Sequence, residues 1–306
     1  MMKKISKQKI KHVLLGKNIN EGLLGRTAIY ILLLIIGFVY LYPMIKMFAY
    51  SIKDLEDLVN PTVEWIPTKI YLENYRTSFI VLSYGKTLLF SLAVTLVPAI
   101  LQTITTSLTG YALAKFKIRG KAIIFGLILM TYLVPQQVYM IPRFVLFDRL
   151  GILESAWAII FPATFGQGLS SAIFILIFYQ FFRMQPKALD ESAEIDGANS
   201  YQIFFRIGVP LAAPAYITAF LFSFVWYWNE TYISSLFIGS DLYTLQLKLL
   251  NFSSQFSLAD GLTQQAVNEA IKYSATILII LPVLVVYIIM QKWFVEGVDR
   301  TGITGE

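Results

Sequence analysis

The sequence predicts an all-α polytopic membrane protein with six spanning helices, and three observations carry that expectation. The 306-residue chain is 57% hydrophobic and 14% charged, with a mean hydropathy of +0.64. A soluble domain of this length carries about 25% charged and roughly 45–50% apolar residues, so one soluble core cannot hold this excess. Six apolar runs, residues 28–45, 88–108, 122–142, 157–182, 211–228 and 273–290, approach the roughly 20 residues that a bilayer core demands of a helix. The charges between the runs are unevenly distributed.

The first run, 28–45, carries no charge. The second contains Gln102, Thr103, Thr105 and Thr106, which are costly against lipid and are expected to face other helices or an aqueous path. The third is interrupted by Pro135, Gln136 and Gln137, and the fourth by Gly166, Gln167 and Gly168; each of these two runs is expected to end early or break. Tyr40, Tyr42, Trp157, Trp226, Trp228 and Trp293 stand near run ends, where interfacial anchoring is their default reading.

Orientation follows from the basic segments. Lys3, Lys4, Lys7, Lys9, Lys11, Lys17 and Arg26 precede the first run, opposed only by Glu21, and Lys115-Phe116-Lys117-Ile118-Arg119-Gly120-Lys121 joins runs two and three. Short basic loops stay cytoplasmic, and two crossings separate these segments, so their placements agree. The loop after run four dissents mildly, because Arg183, Lys187 and Arg206 are outnumbered by Asp190, Glu191, Glu194 and Asp196; acidic residues contribute little to the rule. Both termini are then cytoplasmic. The expected division is a basic arm over 1–26, a six-helix domain over 27–290 with a cytoplasmic loop at 184–210, and a tail over 291–306. The expected location is a bacterial inner or plasma membrane.

Several chemistries are excluded. The chain has no cysteine, and its single histidine, His12, stands in the basic arm, so disulfides, thiolate catalysis and cysteine-held metals are ruled out. The arm reads as a membrane flank rather than a nucleic-acid partner site. The first apolar run is longer than a signal h-region of roughly 7–15 residues and lacks a small-residue cleavage site. Gly85-Lys86-Thr87 resembles the end of a phosphate loop, but a Walker A match needs glycine where Ile80 stands. No run carries a series of acids and histidines for proton relay, which disfavours a secondary carrier, and no nucleophile–base pair or metal cluster suggests a membrane enzyme.

The most informative segment is Pro186-Lys187-Ala188-Leu189-Asp190-Glu191-Ser192-Ala193-Glu194-Ile195-Asp196-Gly197-Ala198, continuing through Phe204 to Ile207-Gly208-Val209-Pro210 and Pro214. Pro186 suits a first helical turn, and Ala188, Ser192 and Ile195 recur at helical spacing as a slim face. Gly197 permits a sharp turn that a residue with a Cβ resists. A short helix, a glycine break and a second helix are expected, serving either as an interfacial element or as a docking knob.

Glu191-Ser192-Ala193, with Gly197, Ile207 and Pro210 at fixed spacing, resembles the cytoplasmic EAA signature of binding-protein-dependent ABC importer permeases. Ser192 departs from the usual alanine, a small-for-small change. Asp196-Gly197-Ala198 followed by Tyr201 and Phe204 resembles the carbohydrate branch. Leu72-Glu73-Asn74-Tyr75, Gly110 to Lys121, Trp228-Asn229-Glu230 and the ending from Gln291 through Gly297 to Gly302 and Gly305 extend the resemblance along the chain, towards the maltose-type "G" subunit.

The resemblance implies the ABC type I importer permease fold and a role in importing a sugar or oligosaccharide, or else a non-sugar solute such as a glycerol-phosphate. It implies a second homologous permease, a pair of ATPase subunits that hold ATP and Mg, and an external sugar-binding protein, with no cofactor on this chain. Glu191, Ser192, Ala193, Asp196, Gly197 and Ala198 would form the ATPase-coupling contact, with Glu191 as its polar centre. Gly297 and Gly302 in the tail would form a second contact, and the stretch 240–272 would face the binding protein.

Overall fold

A computed structural model describes residues 22–239, 242–259 and 267–302, with 294–302 as backbone alone. The arm around His12 and the glycine at 305 lie outside them. Among the described residues every regular element is helical. In order these are α1 (Leu23–Ser51), α2 (Leu55–Val59), α3 (Glu73–Val81), α4 (Tyr84–Lys115), α5 (Lys121–Leu133), α6 (Gln136–Arg149), α7 (Trp157–Thr164) and α8 (Ser171–Met184). There follow α9 (Lys187–Ile195), α10 (Ser200–Ile203), a π-helical turn (Phe204–Gly208), α11 (Val209–Leu211), α12 (Ala213–Asn229), α13 (Tyr232–Phe237), α14 (Leu245–Leu250), α15 (Phe252–Leu258) and α16 (Glu269–Gly302).

Among the described residues three helices are long and apolar enough to cross a bilayer unaided: α1, α4 and the Glu269–Trp293 part of α16. The interrupted third run is two helices, α5 and α6, that meet at 97°. Val134 and Pro135 lie between them, and Pro135 offers no N–H to carry the ladder on. The fifth run bends likewise by 75° between Ser200–Leu211 and Ala213–Asn229, with Pro210 just before the bend and Pro214 in the first turn after it. Counting each bent pair as one crossing gives up to five spans. The fourth run is also broken, into α7 and α8. The final helix does not stop at residue 290 but continues to Gly302.

Two compact units partition the chain: Met1–Tyr75 with Asn268–Ile277, and Arg76–Val267 with Leu278–Glu306. In the first, the connection after α1 is tied down by buried polar groups. Lys53 is 1% exposed and donates to the carbonyls of Val63 at 2.6 Å and Glu64 at 2.9 Å, with its ammonium over the Tyr50 ring. Burial pushes this ammonium below the ordinary lysine range. Asp57 accepts from the Thr68 backbone N–H and hydroxyl. The Lys69 ammonium bonds Asp54 at 2.8 Å and holds that carboxyl below the usual carboxylate range.

The second unit is organised around α4, which packs against α8, α12 and α7. Its core stacks Tyr111, Phe174, Phe178, Phe182 and Phe204 on Ala212, Ala215 and Ala219, large rings from one side filling against methyls on the other. Close approach of α4 and α8 depends on Gly110. A Cβ there would lie 2.6 Å from Phe178 Cβ and 2.9 Å from the Tyr179 backbone nitrogen. Trp228 is not an interfacial anchor: it is 2% exposed and stacks on Phe224, because its position on α12 faces the bundle. Trp157 and Tyr40 are exposed, as anchors would be.

Gly110→Ala is expected to force the α4–α8 contact apart and destabilise the bundle by about 1–3 kcal/mol. Gly37→Ala, on open α1 surface where a Cβ meets nothing within 4 Å, is the control. Thermal unfolding of the purified protein in detergent checks this, with a clear drop expected for the first variant and none for the second.

Candidate functional site

The loop after α8 folds as a helix, a glycine break and a second helix. Pro186 stands immediately before α9, and no residue of α9 is buried. Gly197 adopts φ +82° with open space around its Cβ position, so the constraint is conformational rather than steric, and any L side chain there is strained. Asn199 then caps α10 through a reciprocal bond with Gln202: the Gln202 N–H donates to the Asn199 side chain, and the Asn199 N–H to the Gln202 side chain.

Glu191, Ser192, Asp196 and Gly197 are exposed, while Ala193 and Ala198 are half-buried. Glu191 makes no hydrogen bond or ion pair with another described residue. The slim face of Ala188, Ser192 and Ile195 is also exposed, with Ile195 87% exposed, and Tyr201 and Phe205 in the segment after Gly197 are exposed as well. Gly297 and Gly302 lie in the last turns of α16, with only their backbone described.

What fastens this segment was not evident from the motif. The Lys115 ammonium, at the end of α4, bonds Asp190 at 2.6 Å, with side chains only 13% and 19% exposed. Shielding of that order lets an ion pair contribute more than a surface bridge, about 1.5–3 kcal/mol. Behind it, Phe204 packs edge-on to Tyr111 at 4.8 Å, and Tyr111 meets Phe182 at 5.1 Å. Gln185 donates to the Gly208 carbonyl. The exposed helix is thus joined to α4 by the ion pair, and the turn that follows it is joined to α4 and α8 by the aromatic cluster.

Deeper in the same unit, the break between α7 and α8 is closed by side chains from two other helices. Gln102 Nε2 donates to the Leu169 carbonyl at 2.6 Å. The Leu169 N–H donates to Tyr227 Oη at 3.1 Å, and that hydroxyl donates to Gln102 Oε1 at 2.7 Å. Thr105 donates to the Ala163 carbonyl. Gln102 and Thr105 therefore bridge helices, whereas Thr103 and Thr106 bond back to their own helix. Gly168 leaves the room: a Cβ there would overlap both Gln102 Oε1 and Tyr227 Oη. Beside the break lies a cavity of about 1050 Å³ lined from α4 through α8, including Gln136, Tyr139, Arg143, Phe161, Phe165 and Gln167.

A helical membrane bundle built around such a cavity, with a short helix displayed at its surface, defines a transporter subunit by class. Residues 106–300 match the family described as binding-protein-dependent transport system inner membrane component, and the chain belongs to it: it is a permease subunit, not an enzyme. It is 32% identical over 277 residues to the polygalacturonan/rhamnogalacturonan transport system permease protein YtcP of Bacillus subtilis (strain 168), covering 88% of this chain and 94% of the relative. It is 28% identical over 284 residues to the arabinooligosaccharides transport system permease protein AraQ of the same organism, covering 92% and 96%. Among solved structures it is similar to a bacterial ABC transporter involved in the import of the acidic polysaccharide alginate, with a TM-score of 0.70, 25% identity, and 88% and 95% of the two chains covered.

Lys115→Ala is expected to release α9 from α4. Amide hydrogen exchange over 187–196 should then rise about tenfold, the loss of about 1.4 kcal/mol of local protection. The exchanged pair Lys115→Asp with Asp190→Lys should restore much of that protection, while unchanged exchange in Lys115→Ala would assign the fastening to the aromatic cluster alone.

Proposed function

We propose that this chain is one of two homologous permease subunits of an ATP-driven importer of an oligosaccharide, working in a bacterial cell membrane with both termini cytoplasmic. An external binding protein delivers the sugar, and a separate pair of ATPase subunits holds ATP and Mg. Six crossings follow if α7 and α8 together make one broken span and the two bent pairs one each. The oligosaccharide class is supported by the names of its relatives, which include permeases for arabinooligosaccharides and for polygalacturonan/rhamnogalacturonan.

One observation carries the coupling role: α9 displays an acidic, slim outer face while its inner face is fastened to the bundle through Lys115–Asp190. A surface element moved by a partner must be both accessible and mechanically continuous with the helices it moves. In this reading Glu191 makes the polar contact with the ATPase, with Ser192, Ala193 and Asp196 around it. Gly197 and Ala198 set the angle to the second helix. ATP-driven approach of the two ATPase subunits displaces α9, and the ion pair and the Tyr111–Phe204 contact pass that displacement to α4 and α12. In the same reading Gly297 and Gly302 on the tail make a second contact with the ATPase.

Glu191→Lys reverses a charge at the contact, which costs several kcal/mol where a complementary partner is engaged. The expected outcome is loss of the co-purifying ATPase subunits, or an ATPase rate lowered about tenfold, with the amount of permease in the membrane unchanged. A complex of normal composition and normal ATPase rate would overturn the assignment.

A further inference from the structure

Arg143 is the feature that transport by rigid helices leaves unexplained. It stands on α6 between the bulk of the second unit and the large cavity, half-buried, and lines both that cavity and a small one beside it. Its guanidinium lies 5.1 Å from the Phe147 ring centroid and 5.7 Å from that of Phe237. It makes no hydrogen bond or ion pair with another described residue. Glu230 lines the adjoining small cavity, but the two form no ion pair, and Glu230 Oε1 accepts the Ile233 N–H at 2.6 Å. Glu230 acts on the guanidinium only from beyond ion-pair reach, and in a membrane protein a cation so placed beside a cavity marks a ligand path.

The surroundings indicate which ligand. Guanidinium presents a planar fork of donors that fits a carboxylate in two parallel bonds. The side-chain amides of Gln136 and Gln167 also line the cavity and bond no other described residue; each offers donors and an acceptor suited to hydroxyls. Tyr139, Phe161 and Phe165 supply aromatic wall, the two phenylalanine rings 4.9 Å apart. A largely apolar cavity with a few convergent polar groups is the usual form of a small-molecule site. Here those groups include one fork for an anion and two amides for alcohols.

We infer that this cavity takes a carboxylate-bearing sugar during import, with Arg143 holding the carboxylate and Gln136 and Gln167 the hydroxyls. The inference deepens the importer reading and rests on it. Arg143 acts as a specificity residue: the cavity favours a uronate unit over its neutral counterpart, because a neutral sugar entering it leaves the cation without a partner. A role confined to packing on Phe147 and Phe237 would instead be indifferent to the charge of the cargo.

The test uses the complete transporter, with its partner permease, ATPase pair and binding protein, in proteoliposomes. Trimers of galacturonate and of mannuronate are compared with galactotriose, which lacks the carboxylates. Import of at least one uronate trimer is expected in preference to galactotriose. Arg143→Gln should lower that import about tenfold, a loss of about 1.4 kcal/mol, while Arg143→Lys retains part of it, with both variants assembling with the ATPase subunits in wild-type amount. Preference for galactotriose, or full uronate import by Arg143→Gln, overturns the inference and leaves the importer reading standing. If no trimer enters, the inference also falls, and the importer reading is judged separately by ATPase association in Glu191→Lys. If Arg143→Gln unfolds, the Arg143→Lys variant decides: uronate import fully equal to wild type with galactotriose import raised to the same level would overturn it.

Discussion

The structure of the membrane bundle depends on the satisfaction of backbone groups where the fourth apolar run breaks. In a bilayer an unpaired N–H or C=O costs several kcal/mol, so an interrupted helix survives only if neighbouring side chains reach it. Gln102 and Tyr227 take the C=O and N–H of Leu169 and bond each other, closing a ring that joins α4, α12 and the α7–α8 turn. Gly168 permits that ring because it has no Cβ to occupy the same space. The break in turn gives the cavity its wall at Phe165, Gly166 and Gln167. Polar groups here are therefore not defects in an apolar span but the reason an irregular span is stable.

From that centre α4 transmits rigidly to the surface. Its middle carries Gln102 into the ring. Its C-terminal end carries Tyr111 into the aromatic cluster and Lys115 to Asp190 on α9. A single unbroken helix of 32 residues thus joins the polar ring to the displayed helix, with Gly110 setting how closely α8 can lie against it. Movement imposed on α9 has a short, stiff route to the residues beside the cavity, since packed interiors transmit strain rather than absorb it.

Much of this was legible from residue patterns. Runs of apolar residues located the helices, and Gly166-Gln167-Gly168 and Pro135-Gln136-Gln137 marked both breaks, because glycine and proline act on the chain locally. The helix–glycine–helix loop at 187–203 was readable for the same reason. Less legible were features set by distance in space. The pairing of Lys115 with Asp190 joins positions far apart in sequence, and each charge alone read as loop polarity. The 97° bend between α5 and α6 was implied only as an interruption. Trp228 passed for an interfacial anchor because its neighbours Trp226 and Asn229 suggested a helix end, while its helical phase turns it inward. Lys53 and Arg143 carry no local signal, since nothing near them in the sequence shows that one is caged by carbonyls and the other stands beside a cavity.

The natural absence of cysteine makes the central claim directly measurable. A single cysteine placed at Ser192, on the exposed face of α9, should cross-link to an ATPase subunit in assembled transporter when a short reagent that joins a thiol to an amine is added. It should also be shielded there from a water-soluble maleimide, whereas a cysteine at Gly37 on the open surface of α1 should give no such adduct. Free labelling of position 192 in the assembled complex, with no ATPase adduct, would contradict the assignment of α9 as the coupling element.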